Sequence, residues 1–251
     1  MKIRKLRKEI LILMCIFAGT AVVLTIYLIA TGNQKQPVSE IPTSTMSVIS
    51  EERPASLYFV TNEEISSAGG IEVIHSYIPW GSPRRPGEVR EIRYITVHET
   101  DNRSSGADAA AHNSLLVNNT TDSTGWHYTV DDHSIYHNIP DNEISWNAGD
   151  NRTKYGGNMN GIGIEICVNL SSDYEQSLRN AAALIGKLLV TYDLHPKDAR
   201  FHQDFMDKVC PHRLITEGRT EWFEGMIEGA YYDCLKQKIK DTVNREYRSN
   251  E

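Results

Sequence analysis

The sequence predicts a single α/β domain with a mixed central β-sheet flanked by helices, preceded by one N-terminal transmembrane helix. Three observations lead there. From Ile71 onward, short β-rich runs intermix with segments of helical apolar spacing. Upstream, a stretch rich in Ser, Thr, Pro and Glu offers little to pack. Before that lies a long run without charge. The chain has 251 residues. Setting the N-terminal part aside leaves about one domain of ordinary size.

The N-terminal elements come first. Lys2, Arg4, Lys5, Arg7 and Lys8 form a basic cluster, and Ile10 to Ala30 then carries no charge. About twenty apolar residues are what a helix needs to cross the hydrocarbon core. A signal-peptide core would be shorter and followed by a small-residue cleavage site. Here Ala18-Gly19-Thr20-Ala21 is embedded in continuing apolar sequence. The basic cluster stays in the cytoplasm, so the chain after Ala30 is expected outside the cell as part of a single-pass membrane protein. The expected division is a cytoplasmic segment 1–9, a transmembrane helix 10–30, a linker 31–70, a globular domain 71–243 and a tail 244–251.

Within the domain, Ile92 to Val97 is β-rich and predicts a strand. Ser104 or Ser105, followed by Ala-rich sequence to Asn118, predicts a capped helix. His127 to Val130, an Asp131-Asp132 turn and Ile135 to Ile139 predict a β-hairpin, and Gly161 to Val168 a further strand. Ser172-x-x-Glu175 reads as a capping box opening a helix to Tyr192, with Leu178, Ala182, Ile185 and Leu189 on one face. A last helix is expected from Thr220 to Val243, its stripe formed by Trp222, Phe223, Met226, Ile227 and Ala230.

The net charge of -7 argues against a nucleic-acid binder, which would carry a basic stripe. Of four cysteines, Cys15 falls in the apolar run, leaving Cys167, Cys210 and Cys234 outside. An odd number in an exported domain points to a free or metal-bound thiol. Among nine histidines, His98 closes a predicted strand, where rigid scaffolding delivers side chains to a site. His202 and Cys210 lie eight positions apart across a loop. His and Cys both ligate zinc, and three protein ligands leave a fourth position open to water, as in catalytic sites.

Glu165 alternates with Ile162, Ile164 and Ile166, so it points to the opposite face of its strand. A carboxylate there needs a reason, because burying an unpaired charge is costly. It is either half of an ion pair or a general base and acid. Lys208, two positions before Cys210, is either a solvated lysine or a cation placed for a developing oxyanion.

Val97-His98-Glu99-Thr100, Val130-Asp131-Asp132, Gly161-Ile-Gly-Ile-Glu-Ile-Cys167 and Lys208-Val-Cys-Pro-His-Arg213 together resemble the type-2 N-acetylmuramoyl-L-alanine amidases, a family of phage and Bacillus-type cell-wall enzymes. The resemblance runs from about Ile71 to Ile215. It implies a zinc amidase domain of mixed sheet and helices that cleaves the amide between N-acetylmuramic acid and L-alanine in peptidoglycan. The zinc ligands would be His98, His202 and Cys210, the catalytic acid Glu165 and its companion lysine Lys208.

His127 matches a family histidine and is either a core residue or one that reaches toward the substrate or a metal ligand. Where the family often has Ala-Trp-His-Ala-Gly-Asp, this chain has Ser145-Trp146-Asn147-Ala148-Gly149-Asp150. Trp146 and Asn147 are therefore candidate walls of the substrate groove, with Asn147 expected to affect the groove rather than the metal. A Cys167–Cys234 disulfide is open outside the cell. The catalytic domain is expected to act as a monomer. A non-catalytic peptidoglycan sensor on the same fold is the rival reading. Loss of the cysteine ligand is its usual mark, and Cys210 is present.

Overall fold

The computed structural model describes residues 65–119 and 121–249. The basic cluster, the run Ile10–Ala30 and most of the linker lie outside the described residues. Among the described residues, no helix is long and apolar enough to cross a membrane.

Seven strands form one mixed sheet. In chain order they are β1 Ser67–Ala68, β2 Ile71–His75, β3 Tyr94–Glu99, β4 Tyr128–Val130, β5 Ile135–His137, β6 Gly161–Ile166 and β7 Ala199–Phe201. Their spatial order is β1-β2-β5-β4-β6-β3-β7. The β1–β2 and β4–β5 pairs are antiparallel, and the other neighbours are parallel. The helices are α1 Ala109–Asn118, α2 Gly157–Asn160, α3 Tyr174–Thr191, α4 His212–Thr216 and α5 Thr220–Ser249.

The two faces of the sheet have different work. Val97 and Ile164 stand opposite each other, as do Tyr128 and Ile164. With Ile95, Ile162, Ile166, Val130 and Ile135 they form a fully buried apolar face. Leu178, Ala182, Ile185 and Leu189 of α3, and Phe223 and Ile227 of α5, pack into the same core. Gly186 permits the close crossing of these helices: a Cβ there would come within 2.7 Å of the Ala230 carbonyl carbon. Period two then sends the alternate residues, His98 and Glu165, to the other face, where they are register partners.

Several boundaries differ from expectation. The domain begins before Ile71, because Ile65 and Ala68 are buried and β1 pairs with β2. Helix α1 starts after Asp108, whose Oδ1 accepts from the Ala111 N–H, and not at Ser104 or Ser105. Gly106 between them has φ +79, outside helical space. Asp173, not Ser172, caps α3 by accepting from the Gln176 N–H. Glu175 is thereby free to pair with Arg219 at 2.6 Å. The last helix continues past Val243 to Ser249. Trp222, expected on its packed stripe, is exposed.

Candidate metal centre and active site

Strand β3 delivers His98 to the polar face, and β7 runs directly into His202. Cys210 closes the following loop, just before α4. Their ligand atoms lie within 4.8 Å of one another, and all three residues are at least nine-tenths buried. The two Nδ1 atoms are 3.0 Å apart, and Cys210 Sγ is 3.9 Å from His98 Nδ1.

The hydrogen-bond network decides what can sit between them. His202 Nε2 lies 3.1 Å from the Ala148 carbonyl, which can only accept, so Nε2 carries the proton. The Asn147 amide donates through Nδ2 to the Ser145 hydroxyl at 2.7 Å. Its Oδ1 therefore faces His98 Nε2, 3.0 Å away, and accepts that proton. Both Nδ1 atoms are then bare lone pairs pointing at each other, an arrangement that calls for a cation. A tetrahedral zinc would hold two nitrogens about 3.4 Å apart and a nitrogen and a sulfur about 3.6 Å apart. The observed separations fit that set with small adjustment.

Electrostatics favour the same occupant. Burial, reinforced by His202, lowers the His98 pKa to about 3, and burial with the Lys208 charge lowers that of His202. Both imidazoles are neutral, as metal ligation requires. Burial and the nearby Glu165 push the Cys210 thiol up to about 12. The Glu99 N–H, donating to the sulfur, works against this shift. The thiol thus stays protonated until a cation displaces the proton.

Glu165 stands beside this cluster with its Oε2 enclosed and without a hydrogen-bond partner. Burial raises its pKa to about 8; Lys208 opposes the rise and Glu99 adds to it. Lys208 is exposed on the loop before Cys210, and its charge reaches Glu165, His98, His202 and Cys210. All five residues singled out for metal and catalysis are therefore brought together.

The three groove candidates fare differently. Asn147 is 8% exposed, and its side chain turns to His98 rather than to an open groove. His127 is fully buried: Nδ1 accepts from the Gly163 N–H at 3.0 Å, and Nε2 is 2.9 Å from the Glu143 carbonyl. It has no exposed atom to offer a substrate, and Ser145 lies between it and Asn147. Trp146 alone is at the surface. It lines a cavity of about 750 Å³ with Ser123, Thr124, Gly149 and Asn151, under the Arg152 guanidinium.

Asp131, Asp132 and His133 form a second acidic group. Its oxygens are already occupied: Asp131 accepts from the N–H groups of Ala109, His133 and Ser134, and Asp132 from that of Asp173. It pins the β4–β5 turn to the starts of α1 and α3. Cys167 and Cys234 are both free thiols, so the disulfide does not form. Sequence reasoning missed the Asn147 and Ala148 acceptors; the Asn in place of the family histidine was the only signal.

Residues 88–216 match the N-acetylmuramoyl-L-alanine amidase family. The chain is 41% identical over 145 residues to the N-acetylmuramoyl-L-alanine amidase XlyA of Bacillus subtilis, covering 58% of this chain and 48% of that protein. It is 39% identical over 145 residues to CwlH of Bacillus subtilis, covering 58% and 57%. The chain thus spans about half the length of the curated relatives it matches. The structure of the catalytic domain of XlyA superposes with a TM-score of 0.59 at 39% identity, covering 62% of this chain and 99% of that one. PlyL superposes with a TM-score of 0.57 at 27% identity, covering 63% and 98%. The chain belongs to the N-acetylmuramoyl-L-alanine amidase family.

Proposed function

We propose that this chain is a zinc-dependent amidase that hydrolyses the bond between the lactyl group of N-acetylmuramic acid and L-alanine in peptidoglycan. One observation carries the reading. Two buried imidazoles with facing lone pairs and a buried thiol converge beside a carboxyl whose Oε2 has no partner. In this reading His98, His202 and Cys210 hold zinc, which when bound polarises the scissile carbonyl and lowers the pKa of water.

The protein's own groups handle the protons. Glu165 takes a proton from the attacking water and returns it to the leaving amine. Its raised pKa suits this, and a cation beside it would draw the value down from about 8 toward neutrality. Lys208 sets positive charge where the oxyanion develops. Trp146, under Arg152, would form one wall for the sugar-peptide chain.

The segment Ile10–Ala30 would cross the cell membrane with the basic cluster inside, leaving the catalytic domain outside beside its polymer substrate. Tethering there raises the local enzyme concentration at the wall. Fractionation of cells and protease treatment of intact ones test the placement: the domain should be membrane-bound and cleaved from outside.

Purified protein incubated with cell walls tests the activity. New amino termini should appear with zinc, stop with a chelator and resume on zinc re-addition. Binding to walls without release, in zinc-loaded protein, would favour a peptidoglycan sensor instead.

A further inference from the structure

Glu99 follows the ligand His98 in β3 and is 5% exposed. By period two its side chain turns to the opposite face of the sheet, toward α3. A carboxylate buried there must be supplied with donors. Three reach it. The Tyr174 hydroxyl donates to Oε1, the Arg213 N–H donates to Oε2 at 2.5 Å, and the Leu214 N–H also donates to the carboxylate. The Arg213 guanidinium lies 3.9 Å from the Tyr174 ring centroid and closes over the pair.

Arg213 and Leu214 belong to α4, which opens two residues after Cys210. The Glu99 backbone N–H donates to the Cys210 sulfur itself. One residue thus joins three pieces: the strand that carries His98, the loop that carries Cys210, and helix α3 through Tyr174. Nothing in the proton chemistry above uses this carboxylate.

We propose that Glu99 is a positioning residue: its carboxylate, clamped by Tyr174, fixes the start of α4 so that the Cys210 sulfur meets the two imidazoles. The inference rests on the zinc reading of the site. Residues that orient metal ligands from behind commonly alter affinity about 10- to 100-fold when changed. A Glu99→Gln amide keeps the shape, but its NH2 group must face either the Arg213 N–H, which cannot accept, or the Tyr174 hydroxyl, which must turn from donor to acceptor.

The test uses the full-length protein in zinc and cobalt(II) forms. Expected for Glu99→Gln is release of zinc to a chelator about tenfold or more faster than wild type. At saturating cobalt(II), its thiolate-to-metal charge-transfer band should shift and weaken. Tyr174→Phe removes only a hydroxyl, so it provides a folded variant, and it should accelerate release several-fold in the same direction. A purely structural role would lower the melting temperature while leaving band and release rate as in wild type, and that result overturns the inference. Tyr174→Phe with wild-type release overturns it too. A wild-type protein that shows no thiolate band with cobalt(II) would instead overturn the metal reading, and this inference with it.

Discussion

Replacing Gly163 by alanine should weaken zinc binding at the proposed site without changing His98, His202 or Cys210. Gly163 lies in β6 on the polar face, under Asn147. A Cβ there would come within 2.8 Å of Asn147 Cγ and 3.0 Å of its Cβ and Oδ1. Carbon atoms are comfortable at about 3.5–4.0 Å. The Asn147 Cβ is fixed to its own backbone, so the side chain cannot simply swing aside. Overpacking of this kind costs about 1–3 kcal/mol. For a domain of this size each kcal/mol lowers the melting temperature by about 2–4 °C.

Displacing Asn147 also removes the acceptor that holds the proton on His98 Nε2, so zinc affinity should fall about 10- to 100-fold. Calorimetry of zinc-loaded and chelator-treated protein, with zinc competition against an indicator, reads both effects. In a double variant, Asn147→Ala should remove the contacts with Cγ and Oδ1 and recover part of the lost melting temperature, the 3.0 Å contact with Cβ remaining, and zinc affinity should be close to that of Asn147→Ala alone. Gly163→Ala with wild-type melting and wild-type zinc affinity would refute the reasoning.

Other expectations follow from the same geometry. Glu165→Gln should lower turnover about 10²- to 10⁴-fold with one zinc still bound, measured by amino-terminus release and metal analysis. Lys208→Met should cost about 10²- to 10³-fold in kcat and leave melting unchanged, since the side chain is exposed. Asp141 is fully buried, accepts from the Tyr192 hydroxyl at 2.6 Å and lies 3.2 Å from His137 Nε2. Burial alone would raise its pKa, but these partners hold it below the usual carboxylate value. Its stabilisation is therefore full above the unfolded pKa of about 3.9 and lost as pH falls through the lower folded value. Asp141→Asn should destabilise the domain at pH 7 by about 1–3 kcal/mol and flatten acid unfolding below about pH 4, followed by circular dichroism.

Much of the site was legible because its logic is local or periodic. Alternation alone separated Glu165 from its isoleucine neighbours, and the strand end located His98. The His202–Cys210 spacing, with the ordered motifs, supplied the rest. What escaped depends on contacts distant in sequence. Strand β7 is three residues long with Arg200 at its centre, and it is a strand only because β3 pairs with it. Asn147 read as groove wall because nothing in its own segment shows that His98, 49 positions away, turns Nε2 toward it. Glu99 looked like one letter of a motif; its three donors come from α3 and α4. The helix starts were misplaced by one to four residues because several residues of cap type stood close together. Gly106 decided one case and the Asp173 carboxylate the other.

The central claim is a specific bond broken at a specific metal. Mass spectrometry of wall fragments released by the zinc-loaded protein tests it most directly. The account predicts stem peptides that begin with free L-alanine, glycan strands that keep N-acetylmuramic acid with its lactyl carboxylate exposed, and loss of both products on chelation or in Cys210→Ser. New reducing sugar ends, peptides beginning at another residue, or undiminished release from zinc-free protein would contradict it.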